Sequence, residues 1–551
     1  MAIMGSSGAG KTTLLDVLAG RNKTGEVQGD ILINGEYKPG TLERISGYVM
    51  QDEAFVETLT VRETLYYALL FKSPIKRSSQ EIDSIIDDVL HVLNMKRIEH
   101  NKIGDPLKRG ISGGERRRLA IGVELVLRPA ILFLDEPTTG LDAQNALRVV
   151  NTLRTLCHKY GHTIITTIHQ PRSNIFKMFD QLLILWEGKT VYCGPASQTV
   201  PYFSRVGFNC PETLNPADYL MDMLEEEEEE EAGPDHHGDG EDLGKKRKQS
   251  VEKLPMLFRK SKEHEFIMNY HPARSEDGST IVIHQPPSLL HQFLTLSSRT
   301  WKSTLRDKSV FYFRIGAALL MGLLVGGIFF RLEDTPATSG GKINTMLFLM
   351  CAFSLFCVPA ISKFIKEKLL FTRERASGYY STTAYFFSSL SVEIPILMII
   401  VFGYGCISYW MVGFEPHTAN FVYFLVLIFV VINVGFSISQ LLSSATKSAT
   451  LAIAIYMIIL VYSLLLGGFI VRKSQLPHFA SWAIYTSYFW YGFQGLILNE
   501  FKDKSYGPDV IKSLDMGGSD KFQNLYALVG FWVVLQVIVY IILHYFNKEK
   551  R

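Results

Sequence analysis

Residues Gly5–Thr13 have the sequence GSSGAGKTT, which fits the pattern G-x-x-x-x-G-K-[ST] of a phosphate-binding loop. Its glycines let backbone N–H groups curl around phosphates, where a side chain would block the approach. In this pattern Lys11 reaches the β- and γ-phosphates, and Thr12 offers a hydroxyl to Mg²⁺. The run LLDVLAG that follows predicts a helix whose positive end faces the nucleotide. Taken alone, the stretch also fits a glycine-rich turn between a strand and a helix.

Length and uneven composition predict several domains. A chain of 551 residues is too long for one domain, and a net charge of +2 gives no overall basic field for nucleic acid. Mixed α/β patterning up to residue 224 is followed by a polar, charged stretch and then by long apolar runs. We therefore expect a soluble α/β domain with the phosphate-binding loop over 1–224, a disordered charged linker over 225–290, an amphipathic connecting helix over 291–308 and a transmembrane domain over 309–551.

Polar side chains follow three predicted strands of the first part. Gln51 follows the strand ISGYVM, where its amide can contact a metal ion or an attacking water. Asp135 ends the apolar strand ILFL and can hold Mg²⁺ through water, and Glu136 beside it can act as general base on the attacking water. His169 closes a β-branched strand, where it can sense a γ-phosphate. Each of these residues, taken singly, also has an ordinary structural role as an alternative.

A second anion-binding helix start lies at Ser112–Glu115, with the sequence SGGE. Ser112 is an N-cap residue type, and the two glycines leave the N-terminal N–H groups bare. It follows the P-loop by about a hundred residues, so another chain is a candidate to complete one of the two sites. The segment Gly140–Asp142 is a candidate for contacts between subunits.

In their order and spacing, these motifs resemble those of ATP-binding cassette (ABC) ATPases. The forms ISGGERRR, TIHQPR and NPADYLMDML are similar to the G subfamily, the White-type half-transporters. The resemblance implies ATP and Mg²⁺ as ligands, with Glu136, His169 and Gln51 catalytic and Thr12, Gln51 and Asp135 around the metal. It assigns nucleotide binding to Gly5, Ser6, Ser7, Gly8, Ala9, Gly10, Lys11, Thr12, Thr13, Ser112, Gly113, Gly114, Glu115 and Asp142.

The N-terminal region departs from this pattern. An ATPase of this type needs strands before the P-loop, and usually an aromatic residue there that stacks on adenine, but the chain begins at Met1. We expect a truncated gene model or fragment, with a genuine protein that has a crippled nucleotide site as the alternative. Two segments have alternating apolar and polar residues interrupted by glycine. This pattern predicts one hairpin over Gly25–Glu36 and a second over Leu182–Pro195.

The linker is strongly charged. Seven glutamates, Glu225–Glu231, repel one another and cannot form a core, which predicts disorder. His236 and His237 are more consistent with a solvated linker than with a metal site. Lys245–Lys248 resembles a nuclear-import patch, but beside a membrane domain it favours contact with anionic lipid headgroups.

Six apolar segments in the last part are each long enough to cross a hydrocarbon core of about 30 Å. The basic residues of the loop around Lys363–Arg375, with Lys447 and the C-terminal Lys548–Arg551, predict that both termini are cytosolic. We therefore expect an all-α, six-helix domain in a multi-pass membrane protein. The family resemblance implies that this domain is of the ABC-2 or type V exporter kind, with the plasma membrane favoured. The segments are Val310–Phe330, Ile343–Ile361, Ala384–Trp410, Ala419–Leu442, Ala449–Val471 and Leu525–Phe546.

Polar residues within apolar segments are candidates for functional roles. Glu393 before Pro395 is a candidate for an interhelical or a gating role, paired with an arginine, and Asn433 and Gln440 are candidates to link helices by hydrogen bonds. The family resemblance implies that Phe348, Phe353 and Phe356, with Leu464–Leu466, line an apolar path or plug, and lipid-facing packing is the alternative. The outer loop over 472–524 contains no cysteine, which favours noncovalent pairing of subunits.

The resemblance as a whole implies an ATP-driven half-transporter that works as a homo- or heterodimer. Expected partners are a second half-transporter, membrane lipids and a hydrophobic or amphipathic small molecule, with no nucleic acid. A non-transport membrane protein, such as an ATP-gated regulator, is the alternative. The transported substrate stays open.

Overall fold

The computed structural model describes residues 1–21, 25–35, 42–51, 54–73, 77–104, 110–225, 251–270 and 287–547. The chain forms two compact units, which divide between Pro287 and Ser288. The first unit combines a β-sheet with helices, and the described residues of the second are helical apart from their connections. The predicted order of an α/β part and an all-α part is confirmed, while the finer domain boundaries stay predictions.

The described residues of the first unit share a six-stranded sheet in the order β2-β3-β4-β1-β5-β6. Neighbouring strands are parallel except β5 and β6, which are antiparallel. Parallel strands bring their carboxyl ends to one edge, so the segments that follow β1, β2, β3 and β4 meet there. The strands are β1 Ala2–Gly5, β2 Ser46–Val49, β3 Ile131–Leu134, β4 Thr163–Thr167, β5 Gln181–Trp186 and β6 Lys189–Pro195.

Helices connect these strands and pack against the sheet. Two of them, α3 and α4, have apolar residues at helical spacing, and each begins with a capping box. The helices are α1 Lys11–Leu18, α2 Leu42–Ile45, α3 Val61–Lys72, α4 Ser79–Val92, α5 Gly113–Leu125, α6 Ala143–Tyr160, α7 Ser173–Phe176, α8 Thr199–Arg205 and α9 Pro216–Glu225.

One predicted hairpin is confirmed and the other is not. Strands β5 and β6 form the hairpin expected over Leu182–Pro195. Residues 25–35 contain no strand, so the hairpin expected over Gly25–Glu36 is wrong for the part that the structure describes. Two strands without a further partner are marginally stable, and no strand in the described residues pairs with this segment.

The prediction of disorder over residues 225–290 is wrong for residues 251–270. This segment forms helices α10 Leu254–Arg259 and α11 Lys262–Met268. Leu254 and Phe258 are buried in the first unit, where the Phe258 ring packs edge-on against Tyr202. Arg205 of α8 forms an ion pair with Glu263. Apolar burial therefore outweighs the charged composition here. The rest of the linker, with its histidine pair and basic cluster, lies outside the described residues.

The described part of the second unit contains five helical segments that are long and apolar enough to cross a membrane. A further apolar helix, α18, has only 17 residues. The six predicted spans thus correspond to five membrane-length segments and one shorter helix among the described residues. The helices are α12 Leu289–Arg306, α13 Lys308–Ile328, α14 Ser339–Leu355, α15 Val358–Ala376, α16 Thr382–Val412, α17 Thr418–Ala445, α18 Ala449–Leu465, α19 Tyr488–Phe501, α20 Gly507–Ser513 and α21 Lys521–Tyr545.

The second apolar segment continues into a charged helix. Helices α14 and α15 are separated only by Phe356 and Cys357, and Pro359 occupies the first turn of α15. Proline has no N–H to donate, which accounts for an interruption at this point. Near the end of α15, Glu374 accepts two hydrogen bonds from Arg299 of α12, at 2.5 and 2.7 Å. The connecting helix is therefore fixed to the charged end of α15.

Helix α19 lies within the segment that was expected to be an outer loop, residues 472–524. Nearly all of its residues are buried, so this segment is part of the helical core. Its last turn carries Glu500, which accepts hydrogen bonds from Lys342 at 2.9 Å and from Lys504 at 2.7 Å. Glu500 also accepts one from the backbone of Glu415 at 2.9 Å. This buried ionic cluster joins the connections at one end of the helices.

The predicted partner of Glu393 is confirmed as an arginine, and a lysine joins it. Glu393 on α16 accepts from Arg314 of α13 at 3.2 Å and from Lys363 of α15 at 2.6 Å. Gln440 on α17 accepts from Gln536 of α21 at 3.0 Å, as a helix-linking role requires. Asn433 instead donates to Phe429 of its own helix. One buried carboxylate thus links the helices α13, α15 and α16.

We expect the substitution Glu393→Gln to lower the free energy of unfolding of the second unit by about 3 kcal/mol, because it leaves buried cations without their carboxylate. The measurement is thermal unfolding of the full chain in detergent, with Glu333→Gln, an exposed glutamate, as the control. The double variant with Lys363→Gln should recover part of the loss. An unchanged melting temperature in the single variant would contradict the network.

We expect Phe258→Ala to release helices α10 and α11 from the first unit, since deleting a buried phenylalanine ring costs about 3 kcal/mol. Hydrogen–deuterium exchange of residues 251–268 in the full chain should then increase strongly. The matched control is Phe266→Ala, because Phe266 lies on α11 with 70% of its surface exposed. Equal exchange in the two variants would refute the packing described here.

Candidate nucleotide site

The P-loop bends tightly between β1 and α1. Gly8 and Gly10 have φ angles of 79° and 90°, which side chains disfavour, and a Cβ on Gly5 would lie 2.4 Å from the Leu185 carbonyl oxygen. The first turn of α1 carries no side-chain cap, which suits a helix start that binds an anion. Lys11 is buried and donates to the carbonyls of Gly5 and Ser6, each at 2.8 Å.

The remaining residues of the loop divide into exposed and buried positions. Ser7, Gly8 and Thr13 are exposed, and Ala9 is buried beneath the loop. Ala9 donates its N–H to the Ser6 carbonyl at 3.2 Å. The loop therefore presents its outer backbone and the first turn of α1 to a ligand, as the sequence pattern predicts.

Asp135 is the point where the P-loop helix meets the neighbouring strands. It is 3% exposed, and its Oδ1 accepts hydrogen bonds from Thr12 Oγ1 at 3.0 Å and from Thr167 Oγ1 at 2.7 Å. Thr167 Oγ1 in turn accepts the N–H of Glu136 at 2.8 Å. The structure thus brings together Thr12 and Asp135, two of the three predicted metal ligands.

Gln51 and Glu136 form a second pair at the same edge. Gln51 Nε2 donates to Glu136 Oε2 at 2.7 Å, and Thr139 Oγ1 donates to the same oxygen at 3.0 Å. Glu136 lies two residues after the buried strand β3 and has a φ angle of 44°, which is a left-handed conformation. The predicted general base is therefore held by an amide from the end of β2.

His169 lies two residues beyond the end of β4. Its side chain is exposed, and the adjacent Ile168 donates its N–H to Ile3 of β1 at 3.0 Å. Since β4 lies between β3 and β1, His169 is at the strand edge between the P-loop and Glu136. This position agrees with the predicted role, which stays a prediction.

The segment Ser112–Glu115 forms a capping box at the start of α5. Ser112 Oγ accepts the Glu115 N–H at 3.3 Å, and Glu115 Oε2 accepts the Ser112 N–H at 2.8 Å. A Cβ on Gly114 would lie 2.9 Å from Asn145 of α6, so the two helix starts pack closely. Asp142 caps α6 by accepting the Asn145 N–H at 2.8 Å. Glu115 and Asp142, predicted as nucleotide contacts, therefore shape these two helix starts.

Arg117, which no sequence pattern indicated, links α5 to Gln51. Its guanidinium is buried and donates to the carbonyls of Met50 at 2.9 Å and of Gln51 at 2.8 Å. Its neighbour Arg118 is also buried, and burial lowers the pKa of that guanidinium. A basic run in a helix gives no sign of which member turns inward, so Arg117 had no sequence signal of its own.

The residues of this site fit Mg²⁺ and a nucleoside triphosphate. A hydroxyl and a carboxylate meet at Thr12 and Asp135, and oxygen donors of this kind suit Mg²⁺. The uncapped start of α1 and the adjacent Lys11 provide donors for phosphate oxygens.

We expect Arg117→Met to reduce the kcat of nucleotide hydrolysis about tenfold, because hydrogen bonds from a charged donor are worth about 1.5–3 kcal/mol. The KM for ATP should stay within about twofold, since Arg117 contacts the Gln51 backbone and not the P-loop. Arg117→Lys should restore part of the rate, and Arg154→Met, an exposed position on α6, is the control. Parallel changes in kcat and KM would contradict a positioning role.

Family models match both parts of the chain. A model of the ABC transporter family matches residues 1–139, and a model of the ABC-2 type transporter family matches residues 291–501. A further ABC-2 type transporter model matches residues 169–239. The order of the matches agrees with an ATPase unit followed by a membrane unit.

Relatives are similar over most of their length. The broad substrate specificity ATP-binding cassette transporter ABCG2 of Bos taurus is 32% identical, covering 92% of this chain and 79% of its own. ABC transporter G family member 22 of Dictyostelium discoideum is 31% identical, covering 100% and 90%, respectively. The solved structure of cbiO1 from Clostridium perfringens, part of the ABC transporter complex cbiONQ, is 25% identical with a TM-score of 0.32, and covers 37% of this chain and 80% of that one.

These relatives and the two family models agree with the motifs at the sheet edge and with the apolar helices of the second unit. The chain therefore belongs to the G family of ABC transporters and is an ATP-hydrolysing membrane transporter.

Proposed function

We propose that the protein works as a dimer of half-transporters that couples ATP hydrolysis to the export or flipping of lipids, sterols or other amphipathic small molecules. One observation carries the proposal. Gln51 holds Glu136 at the edge where Thr12 meets Asp135, in the same chain as a unit of membrane-length apolar helices. The second half-transporter is either a copy of this chain or a related one.

The start of α5 supports pairing of two chains. Ser112–Glu115 closes on itself through its capping box and packs beside the start of α6. The capping box uses the N–H groups of Ser112 and Glu115, so those of Gly113 and Gly114 are the proposed donors to a phosphate that a second chain holds at its own P-loop. Two ATP molecules would thus be enclosed, each between the P-loop of one chain and the Ser112–Glu115 segment of the other. The outer loop over residues 472–524 contains no cysteine, which favours noncovalent pairing.

ATP is the substrate of the hydrolytic step. The P-loop N–H groups and Lys11 bind its β- and γ-phosphates, and Thr12 and Asp135 are placed to hold Mg²⁺, which neutralises phosphate charge when bound. Glu136 accepts the proton of the attacking water. Gln51 orients Glu136 through its 2.7 Å hydrogen bond, and His169 contacts the γ-phosphate.

Charge favours a cytosolic ATPase unit. The basic residues of α15 and of the segment before α18 lie at the same end of the membrane helices, since successive helices α16 and α17 carry the chain across and back. Both termini are on that side in this arrangement. The plasma membrane is the proposed location.

The proposed substrate path concerns aromatic and leucine side chains of α14 and α18. Phe348 and Leu465 are 48% and 43% exposed on the single chain, so they are available to a substrate, to lipid or to a second copy. Phe353 is fully buried and packs against Tyr404 with ring centroids 4.5 Å apart, so it stabilises the core. The relative with broad substrate specificity supports a wide range of apolar substrates.

An ATP-gated membrane regulator without transport is the second candidate. Gating requires nucleotide binding more than turnover, whereas Gln51, Asp135 and Glu136 form a hydrolytic arrangement. Reconstituted protein should show ATPase activity that a transported substrate stimulates, and a substrate panel in proteoliposomes measures this. Hydrolysis that no substrate stimulates, with no movement of any panel member, would favour the regulator.

We expect Glu136→Gln to abolish ATP turnover while ATP stays bound, because an amide cannot accept the proton of the attacking water. Retention of radiolabelled ATP on the purified full chain measures binding, and phosphate release measures turnover. Glu212→Gln, an exposed position in the same unit, should behave like the wild type. Undiminished phosphate release from Glu136→Gln would refute the assignment of the general base.

A further inference from the structure

A ridge of three exposed aromatic side chains follows helix α18. Residues His478–Thr486 form a nine-residue 3₁₀-helix. This helix has three residues per turn, so side chains three positions apart lie one above another. Phe479, Trp482 and Tyr485 have this spacing, and their exposed fractions are 82%, 65% and 45%. They form a single ridge, which we call the aromatic ridge.

The aromatic ridge is displayed from a fixed base. Ile484, on another side of the same 3₁₀-helix, is fully buried. The Thr486 hydroxyl lies 2.6 Å from the Tyr462 hydroxyl of α18, and Tyr491 of α19 donates to the Tyr485 carbonyl at 3.1 Å. The outward position of the ridge is therefore set by packing of the rest of the helix.

The length of α18 places the ridge near a membrane surface. Its 17 residues span about 26 Å, somewhat less than the hydrocarbon core of about 30 Å. The chain after Leu465 therefore leaves the helix close to the boundary between hydrocarbon and headgroups. Ile470 in this connection is 47% exposed, which agrees with contact to lipid.

Side-chain chemistry along the ridge matches that boundary. Tryptophan and tyrosine are enriched where membranes meet water, because each combines an apolar ring with a polar group. Lys473 lies beside the ridge, where its Nζ donates to the Tyr485 hydroxyl at 2.7 Å. Arg472 and Lys473 are both exposed, so their charged groups are available to lipid phosphates.

We propose that the aromatic ridge is a lipid-binding surface, which inserts into the headgroup boundary of the leaflet at the end of α18. The proposal requires only that α18 is inserted in a membrane. That the leaflet at the end of α18 is the non-cytosolic one rests on the proposed function. A second copy of the chain fits less well. Three side chains in a row bury far less than the roughly 800 Å² per partner of a stable interface.

Trp482 provides a direct probe in the full-length protein. Nanodiscs are prepared with phosphatidylcholine brominated either near the glycerol or near the acyl chain end, and the emission of Trp482 is obtained by subtracting the spectrum of Trp482→Phe. The matched control is Trp490→Phe, since Trp490 is 3% exposed on α19. We expect the lipid brominated near the glycerol to quench Trp482 several-fold more than Trp490, and more than the other lipid does. Aqueous iodide should quench Trp482 weakly.

Two outcomes would overturn the proposal. Strong quenching by iodide without quenching by brominated lipid would place the ridge in water. Quenching by neither, together with a disulfide between two copies of Phe479→Cys, would place it between subunits. ATPase activity and transport are measured on the same preparations. If transport is absent while brominated lipid quenches Trp482, the proposed function is contradicted and the lipid-binding role of the aromatic ridge is not.

Discussion

The nucleotide site depends on the hydrogen bond between Gln51 and Glu136. The two residues follow different strands, and they meet at 2.7 Å because β2 and β3 are parallel neighbours with their carboxyl ends at one edge. The same edge receives the P-loop from β1 and His169 from β4. Arg117 holds the backbone of Gln51 from α5, the helix that begins with Ser112–Glu115. Arg117 and Gln51 therefore form a hydrogen-bonded connection from α5 to Glu136, the predicted general base.

The membrane unit satisfies a different constraint, which is the burial of charge among apolar helices. Glu393 balances Arg314 and Lys363 from two other helices, and Glu500 balances Lys342 and Lys504 at the connections. Lipid tails are as apolar as leucine, so the hydrophobic effect does not drive these helices together within a membrane. The ionic pairs contribute to their association instead. The salt bridge from Arg299 to Glu374 extends this to the connecting helix α12. Ionic contacts therefore hold α13, α15 and α16 together, with α12 fixed to α15.

Much of the site was predictable because its functional residues form short, continuous sequence motifs. The P-loop and the pair Asp135–Glu136 adjoin strands with clear patterns, and parallel strands bring such segments together. The role of Arg117 was not predictable. It donates to backbone carbonyls, and every residue has one, so no residue type marks the acceptors. The helices within residues 254–268 were not predicted, because the charged composition of the linker indicated disorder. In these helices only Leu254 and Phe258 are buried. The burial of α19 was missed because aromatic residues suit an outer loop as well as a core.

The central claim is that nucleotide turnover at the sheet edge changes the arrangement of two paired membrane units. The most direct test uses a reconstituted dimer with a spin label attached to Phe348→Cys in each copy. Pulsed electron–electron double resonance then measures the distance between the two labels. The account predicts one distance distribution without nucleotide and a clearly shifted one with ATP trapped. Identical distributions in the two states, in a preparation that hydrolyses ATP, would contradict it.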